Sequence, residues 1–140
     1  MSDESTTPDV VELVRRMFEA ALPRDFDVYM SLFAPDAVWD ASSSGVGTFE
    51  GVVAIRSFLE DWFGAYEEYE RRLEELHDLG NGVTFAVAVQ HARLAGSDAL
   101  IRERWCYTSL WEGGAISRMI IEADPDEARA AAERLAQERG

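Results

Sequence analysis

Hydrophobic residues near the start of the chain recur every three or four positions, as they do along one face of a helix. This spacing predicts a first helix that opens at Pro8-Asp9 and stops at Pro23. It also predicts a short second helix from Phe26 to Phe33, ended by Pro35. A third helical pattern follows Gly51. Helices therefore dominate the first part of the chain.

Alternation of apolar and polar residues, typical of strands, dominates the second part. A short strand over residues 37–41 comes early and is followed by a predicted loop over residues 42–50. The later strands are separated by turn signals at 80–82, 96–98 and 112–114, and they are predicted over residues 69–79, 83–94, 99–111 and 115–123. A last helix is predicted from Asp124-Pro125 onward, because Asp suits the cap and Pro the first turn.

Helices followed by hairpin-linked strands indicate an α+β fold rather than alternating βαβ units. We expect a curved antiparallel sheet wrapped around the N-terminal helices, which forms a cone with an apolar pocket, plus a C-terminal helix. The polar, acidic residues 1–8 are predicted to be a flexible tail, and residues 9–140 a single domain.

Composition excludes several classes of function. The net charge of −14 disfavours binding to nucleic acid or anionic membranes. No apolar run reaches the length of a membrane span, and no signal peptide is recognisable, so we expect a cytoplasmic protein. Cys106 is the only cysteine, which suits a reducing compartment. Basic residues that are Arg rather than Lys, with abundant Ala, suggest a bacterial genome rich in GC.

One acid, Asp40, stands where the short strand enters the serine-rich loop. It is either a general base at the mouth of a pocket or an Asx-type cap for Ser42 and the following residues. The two histidines and one cysteine show no ligand spacing, so no metal or other cofactor is expected.

Four segments resemble the nuclear transport factor 2-like superfamily, which includes SnoaL-like cyclases and ketosteroid isomerases. They are LFAPDAVWDAS, GTFEGVVAIRSFLEDWF, RERWCYTSLWEGGAISR and ADPDEARAAA, and the resemblance covers about residues 9–132. It implies a deep apolar pocket and a homodimer formed through the sheet. It does not fix the activity, because this fold carries isomerases, cyclases, dehydratases and binding modules.

The resemblance also implies roles for individual residues. Ketosteroid isomerases use an Asp base and an oxyanion hole. An ungapped match places the base's position at Ala41, one residue after Asp40, and a shift of one residue turns a strand side chain to the other face. The same match puts Met17 at the isomerase tyrosine and Tyr107 at the protonated acid. Tyr107 is then a candidate oxyanion donor or, alternatively, a half-buried aromatic residue.

Two further residues are secondary catalytic candidates. Glu103 shares a strand face with Trp105 and Tyr107 if alternation holds, and otherwise pairs with arginines at the rim. His91 matches histidines on a nearby strand of SnoaL-like cyclases, although a lone strand histidine is more often structural.

Aromatic and methionine side chains are the expected walls of the pocket. The predicted ligand-binding residues are Met17, Trp39, Phe58, Trp62, Phe63, Trp105 and Met119. They favour a flat, apolar ligand over a sugar or nucleotide. The sequence therefore predicts a cofactor-free isomerase, cyclase or dehydratase acting by proton transfer on an apolar carbonyl compound, with a non-catalytic binding or accessory protein as the alternative.

Overall fold

The structure, a computed structural model, describes residues 10–19 and 26–140. The predicted tail over residues 1–8 and the predicted helix stop at Pro23 lie outside these ranges. The helices are α1 (Val10–Glu19), α2 (Phe26–Met30), α3 (Val52–Gly64) and α4 (Pro125–Arg139), with a 3₁₀ turn at Ser42–Ser44. The strands are β1 (Phe33–Ala41), β2 (Gly47–Glu50), β3 (Tyr66–Gly80), β4 (Val83–Leu94), β5 (Leu100–Glu112) and β6 (Ala115–Glu122).

The strands form one curved sheet in the order β2-β1-β6-β5-β4-β3. Neighbouring strands are antiparallel except β1 and β6, which are parallel because β1 belongs to the N-terminal part of the chain and is not joined to β6 by a hairpin. The predicted α+β class and strands β3 to β6 are confirmed. The turn between β3 and β4 has positive φ angles at Gly80, Asn81 and Gly82, as the Gly-Asn-Gly signal predicted.

Two predictions for the N-terminal part are wrong. Helix α2 ends at Met30, and Phe33 already begins β1, because the chain is extended ahead of Pro35 and its register on β6 shifts between Phe33 and Val38. The predicted loop over 42–50 contains β2, in which Phe49 pairs with Trp39 of β1. β2 has four residues and pairs with β1 alone. This length is too short for a pattern of alternating apolar and polar residues to be recognised.

The two faces of the sheet bury different cores. The inner face, which carries Ala86, Ala88 and Tyr107, packs against α1, α2 and α3 in the larger cluster. The outer face, which carries Val83, Val87 and Cys106, packs against α4 in a smaller cluster. Alternation along β4 and β5 assigns successive residues to these two faces.

Helix α4 begins as its sequence predicts. The Asp124 side chain accepts hydrogen bonds from the backbone N–H groups of Asp126 and Glu127. Its buried residues, Ala128, Ala132 and Ala136, lie four positions apart and form one narrow stripe that faces the sheet. Small side chains on this stripe allow the helix to lie close to β4.

Candidate functional site

A cavity lies between the inner face of the sheet and the helices α2 and α3. Its empty volume is about 500 Å³, part of which is open solvent. Five of the predicted aromatic ligand-binding residues line it, namely Trp39, Phe58, Trp62, Phe63 and Trp105. Its polar lining residues are Tyr29, Tyr69, Arg71, Gln90 and Tyr107. The lining is thus mainly aromatic, with a small number of polar groups.

At the end of β1, the side chain of Asp40 lies outside the cavity lining. Trp39 and Ala41 line the cavity, whereas Asp40 is not among its lining residues. Consecutive strand residues point to opposite faces. Because Asp40 comes one residue before the position that matches the isomerase base, its side chain points to the other face of the strand. The position that corresponds to the base is occupied by the methyl group of Ala41, which has no acid–base chemistry.

Asp40 instead organises the turn after β1. Its Oδ1 accepts hydrogen bonds from the backbone N–H and the hydroxyl of Ser42, at 3.0 and 2.6 Å, and from the Thr48 hydroxyl at 3.4 Å. Its Oδ2 lies 2.6 Å from Nη2 of Arg118. The Ser42 hydroxyl is the main cause that lowers the pKa of Asp40; burial opposes it, and the Ser42 N–H and Arg118 lower the pKa further. This geometry supports the capping alternative.

Tyr107, the candidate oxyanion donor, lines the cavity beside a cation. Its ring packs edge-on against Phe18, with centroids 5.0 Å apart. Burial raises the pKa of Tyr107, while the nearby guanidinium of Arg71 acts in the opposite direction. The phenol therefore keeps its proton at neutral pH and can donate it in a hydrogen bond.

Arg71 is held by two kinds of contact, a hydrogen bond and the approach to two aromatic rings. Nη2 donates to the carbonyl of Met17 at 3.0 Å. The guanidinium carbon lies 4.5 Å from the Phe18 ring centroid and 5.5 Å from that of Tyr29. Burial raises the pKa of the Tyr29 phenol to about 12, and the nearby Arg71 acts in the opposite direction. Arg71 is thus fixed in place while it lines the cavity.

A row of polar residues crosses the inner face from β3 to β5. Gln90 pairs in register with Arg71 on one side and with Glu103 on the other. The Tyr69 hydroxyl donates to Oε1 of Gln90 at 2.9 Å, and Nε2 of Gln90 donates to Oε1 of Glu103 at 2.8 Å. Glu103, half-buried, is therefore one hydrogen bond behind the cavity lining, and this bond differs from the predicted arginine pairing.

The remaining predicted site residues lie elsewhere. His91 is exposed and belongs to the other side of β4 from Gln90. Met17 and Met119 are fully buried in the core rather than in the cavity wall. Met17 contributes through its backbone carbonyl, and the Met119 sulfur accepts a hydrogen bond from Ser109 at 3.3 Å.

Sequence reasoning missed Arg71, together with the phenols of Tyr29 and Tyr69. Residues 69–79 were correctly predicted as a strand, and alternation within it puts Tyr69, Arg71 and Leu73 on one face. An arginine between an aromatic and an aliphatic residue on that face was the available signal. The surrounding acidic residues concealed it by making the whole segment look solvent-exposed.

The described residues offer no group of three or more His, Cys, Asp or Glu side chains that could bind a metal ion. The thiol of Cys106 is buried on the outer face. Burial raises its pKa to about 11, with Glu122 and Asp124 adding to the effect. Within the same part of the chain, no helix combines the length and apolar character needed to cross a membrane.

Comparison with known proteins gives a consistent result for the fold. The family model described as "SnoaL-like domain" matches residues 14–119. A proposed polyketide cyclase from Sinorhizobium meliloti is 25% identical, with a TM-score of 0.65 over 86% of this chain and 99% of that chain. None of the curated proteins matches the sequence at a significant level.

Two further solved structures share the fold at lower identity. A proposed SnoaL-like polyketide cyclase from Jannaschia sp. CCS1 is 16% identical, with a TM-score of 0.71 over 88% of this chain and 90% of that chain. A protein with a ketosteroid isomerase-like fold from Catenulispora acidiphila, in complex with trimethylamine, is 16% identical, with a TM-score of 0.70 over 90% and 93%.

Proposed function

Because the chain belongs to the SnoaL-like domain family, we propose that it binds a small, flat, mainly apolar carbonyl compound in the cavity of the inner face. The observation that carries this proposal is the combination of aromatic walls with the Tyr107 phenol at one point of the lining. Ligand sites of this kind use apolar walls for affinity and a few polar groups for orientation.

Tyr107 is suited to hold the carbonyl oxygen. The nearby cationic guanidinium of Arg71 lowers the pKa of the phenol, against the larger effect of burial, and so makes the hydroxyl a stronger donor. Within the described residues, no acceptor is found for the Tyr107 hydroxyl proton. That proton is the group we expect a bound carbonyl to meet.

A titration with 2-acetylnaphthalene tests this proposal. Trp39, Trp62 and Trp105 line the cavity, so we expect saturable quenching of tryptophan fluorescence. Ala41→Leu adds bulk to the buried cavity wall and should weaken binding at least tenfold. Ala130→Leu, on the exposed side of α4, should leave the affinity unchanged.

Absence of saturable quenching with the parent protein would refute the binding proposal. Equal affinity of the parent protein and Ala41→Leu would also refute it, since binding would then occur outside the cavity.

The second candidate function is proton transfer at the carbon next to the bound carbonyl. The observation that favours it is the hydrogen bond between Gln90 and Glu103, which keeps a carboxylate directly behind the lining and on the strand face of Tyr107. Through one bridging water, Glu103 would take a proton from that carbon, and the resulting enolate oxygen would accept a hydrogen bond from Tyr107. Return of a proton to the carbon by the same route would complete the exchange. The step needs no oxidant or reductant.

Deuterium exchange separates the two candidates. In D₂O, an enzyme of this kind should replace the methyl protons of 2-acetylnaphthalene by deuterium, which NMR follows directly. Glu103→Gln should slow this exchange about 100-fold while leaving the ketone bound, because a general base contributes about this factor. Glu138→Gln, which removes an exposed carboxylate from α4, is the matched control. Binding without exchange above the buffer rate would leave the protein as a binding module.

A further inference from the structure

We propose that the natural ligand of this cavity carries a negative charge, such as a carboxylate or an ionised enol, and that Arg71 binds it. This inference rests on the proposed function, because it requires that the cavity bind a small molecule. It adds the chemical class of the ligand and assigns a role to a residue that the sequence analysis left unused.

Arg71 has no carboxylate partner among the residues that the structure describes. Its neighbours are neutral: the Met17 carbonyl, the rings of Phe18 and Tyr29, and the phenol of Tyr107. Several other arginines do have acidic partners. Arg93 lies 2.9 Å from both Glu67 and Glu68, and Arg104 lies 2.9 Å from Glu74.

Removing a guanidinium from water without a counter-charge is costly, and an arginine side chain does not lose its proton in proteins. The Met17 carbonyl and the aromatic rings of Phe18 and Tyr29 reduce this cost, but they do not neutralise the charge. An anion in the cavity would neutralise it. Attraction between opposite charges is stronger there than in bulk water, because the aromatic lining has a low effective dielectric constant.

Gln90 keeps the nearest carboxylate of the polar row away from Arg71. It lies between Arg71 on β3 and Glu103 on β5, and its amide group hydrogen-bonds to Glu103. The Glu103 carboxylate is thereby satisfied by a neutral amide instead of by the guanidinium. The row thus preserves an unneutralised cation at the cavity wall.

The hydrogen-bond donors of Arg71 suit an anion with two oxygens. The guanidinium carbon lies over the Phe18 ring, and Nη2 already donates one hydrogen bond to the Met17 carbonyl. A guanidinium carries five N–H donors in one plane and matches the two oxygens of a carboxylate. We therefore expect the anionic group to lie beside Arg71 and Tyr107, and the apolar body of the ligand to contact the aromatic walls.

Because the molecule as a whole is acidic, the positive charge of Arg71 is the feature that would attract an anion to the cavity. A molecule with a net charge of −14 repels anions from most of its surface. Selection of an anionic ligand therefore has to come from a specific group inside the site, and Arg71 is the cationic residue found in the described lining.

A matched pair of ligands tests the inference. 2-Naphthoate and 2-acetylnaphthalene have similar shape, but only the first is an anion at pH 7.5. We expect the parent protein to bind 2-naphthoate at least tenfold more tightly than the ketone. Arg71→Met should lower the affinity for 2-naphthoate at least tenfold and that for the ketone less than threefold. Arg71→Lys keeps the charge without the planar fork and should give an intermediate loss.

Arg102→Met is the matched control, because it removes the same charge from an exposed position on β5. It should preserve the preference for 2-naphthoate. Equal affinities of the parent protein for the two ligands would overturn the charge inference and leave the binding proposal intact. A preference that survives in both Arg71 variants would also overturn it. Failure of the parent protein to bind either ligand would refute the proposed function itself, and the inference with it.

Discussion

Two adjacent residues at the end of β1 have opposite surroundings. Ala41 contributes a methyl group to the cavity wall, and Asp40 accepts hydrogen bonds from Ser42 and Thr48 and pairs with Arg118. The carboxylate ties β1, the following turn, β2 and β6 together. Its chemical environment is therefore that of a structural anion, stabilised in its ionised form.

The role of Asp40 in the turn predicts an effect on stability rather than on ligand binding. Asp40→Asn should lower the free energy of unfolding by about 1 kcal/mol at pH 7, since the amide loses the charge-assisted part of these hydrogen bonds. Affinity for the cavity ligands should stay the same. Urea-induced unfolding and the fluorescence titration measure the two quantities.

The pH dependence follows from the lowered pKa of Asp40. A carboxylate whose pKa is lower in the folded state stabilises the protein above its ordinary pKa, and this contribution is lost as the pH falls through the lowered value. The difference between the parent protein and Asp40→Asn should therefore vanish in acid. Asp36→Asn, at an exposed position of the same strand, should change stability by less than about 0.5 kcal/mol. Loss of the deuterium exchange in Asp40→Asn without loss of stability would contradict this assignment and favour the base role.

Sequence reasoning at the level of residues succeeded where alternation was regular. It predicted that Glu103, Trp105 and Tyr107 share a strand face, and the structure puts Trp105 and Tyr107 in the cavity lining with Glu103 joined to it by Gln90. It could not identify Arg71, because the absence of an acidic partner is a property of three-dimensional contacts. The many acidic residues of β3 suggest instead that its arginines have acidic partners.

At the scale of elements, α4 and the sheet depend on close packing. The buried stripe of alanines on α4 contacts Val83, Phe85 and Val87 on the outer face. Interiors are packed as densely as organic crystals, so there is no spare room for a larger side chain at the centre of this contact. Ala132, which is fully buried, occupies that centre.

This packing predicts that Ala132→Leu lowers the free energy of unfolding by about 1 to 3 kcal/mol, the usual cost of overpacking a core position. Ala130→Leu, the same change on the exposed side of the helix, should alter it by less than about 0.5 kcal/mol. Urea titrations of both variants give the comparison. Equal effects of the two substitutions would contradict close packing of α4 on the sheet.

Elements differ in how well the sequence specifies them. Strands β3 to β6 are long, their apolar and polar residues alternate clearly, and glycine-containing turns join them. The sequence pattern was therefore enough to predict these strands. β2 has four residues and one neighbour, and its formation depends on pairing with β1 rather than on its own propensity. Pairing with β6 extends β1 back to Phe33, a residue that also fits a helical pattern.

At the scale of the whole molecule, the fold class was predictable, and the family match agrees with it. The order of helices before hairpin-linked strands restricts the possible architectures, and the resemblance selects one of them. Dimerisation through the sheet, a cytoplasmic location and a bacterial origin stay predictions. The ligand is not specified at this scale, since it depends on a few side chains within a widely shared fold.

The two-faced packing of β4 has a consequence for evolution and for redesign. Ala86, Ala88 and Gln90 face inward, whereas Val83, Phe85 and Val87 face α4. Substitutions at the inward positions can reshape ligand preference while the outer contact with α4 retains its contribution to stability. An insertion of one residue in β4 would exchange the two sets and damage both faces at once. We therefore expect relatives to diversify by substitution in this strand and to accept changes in length only at its ends.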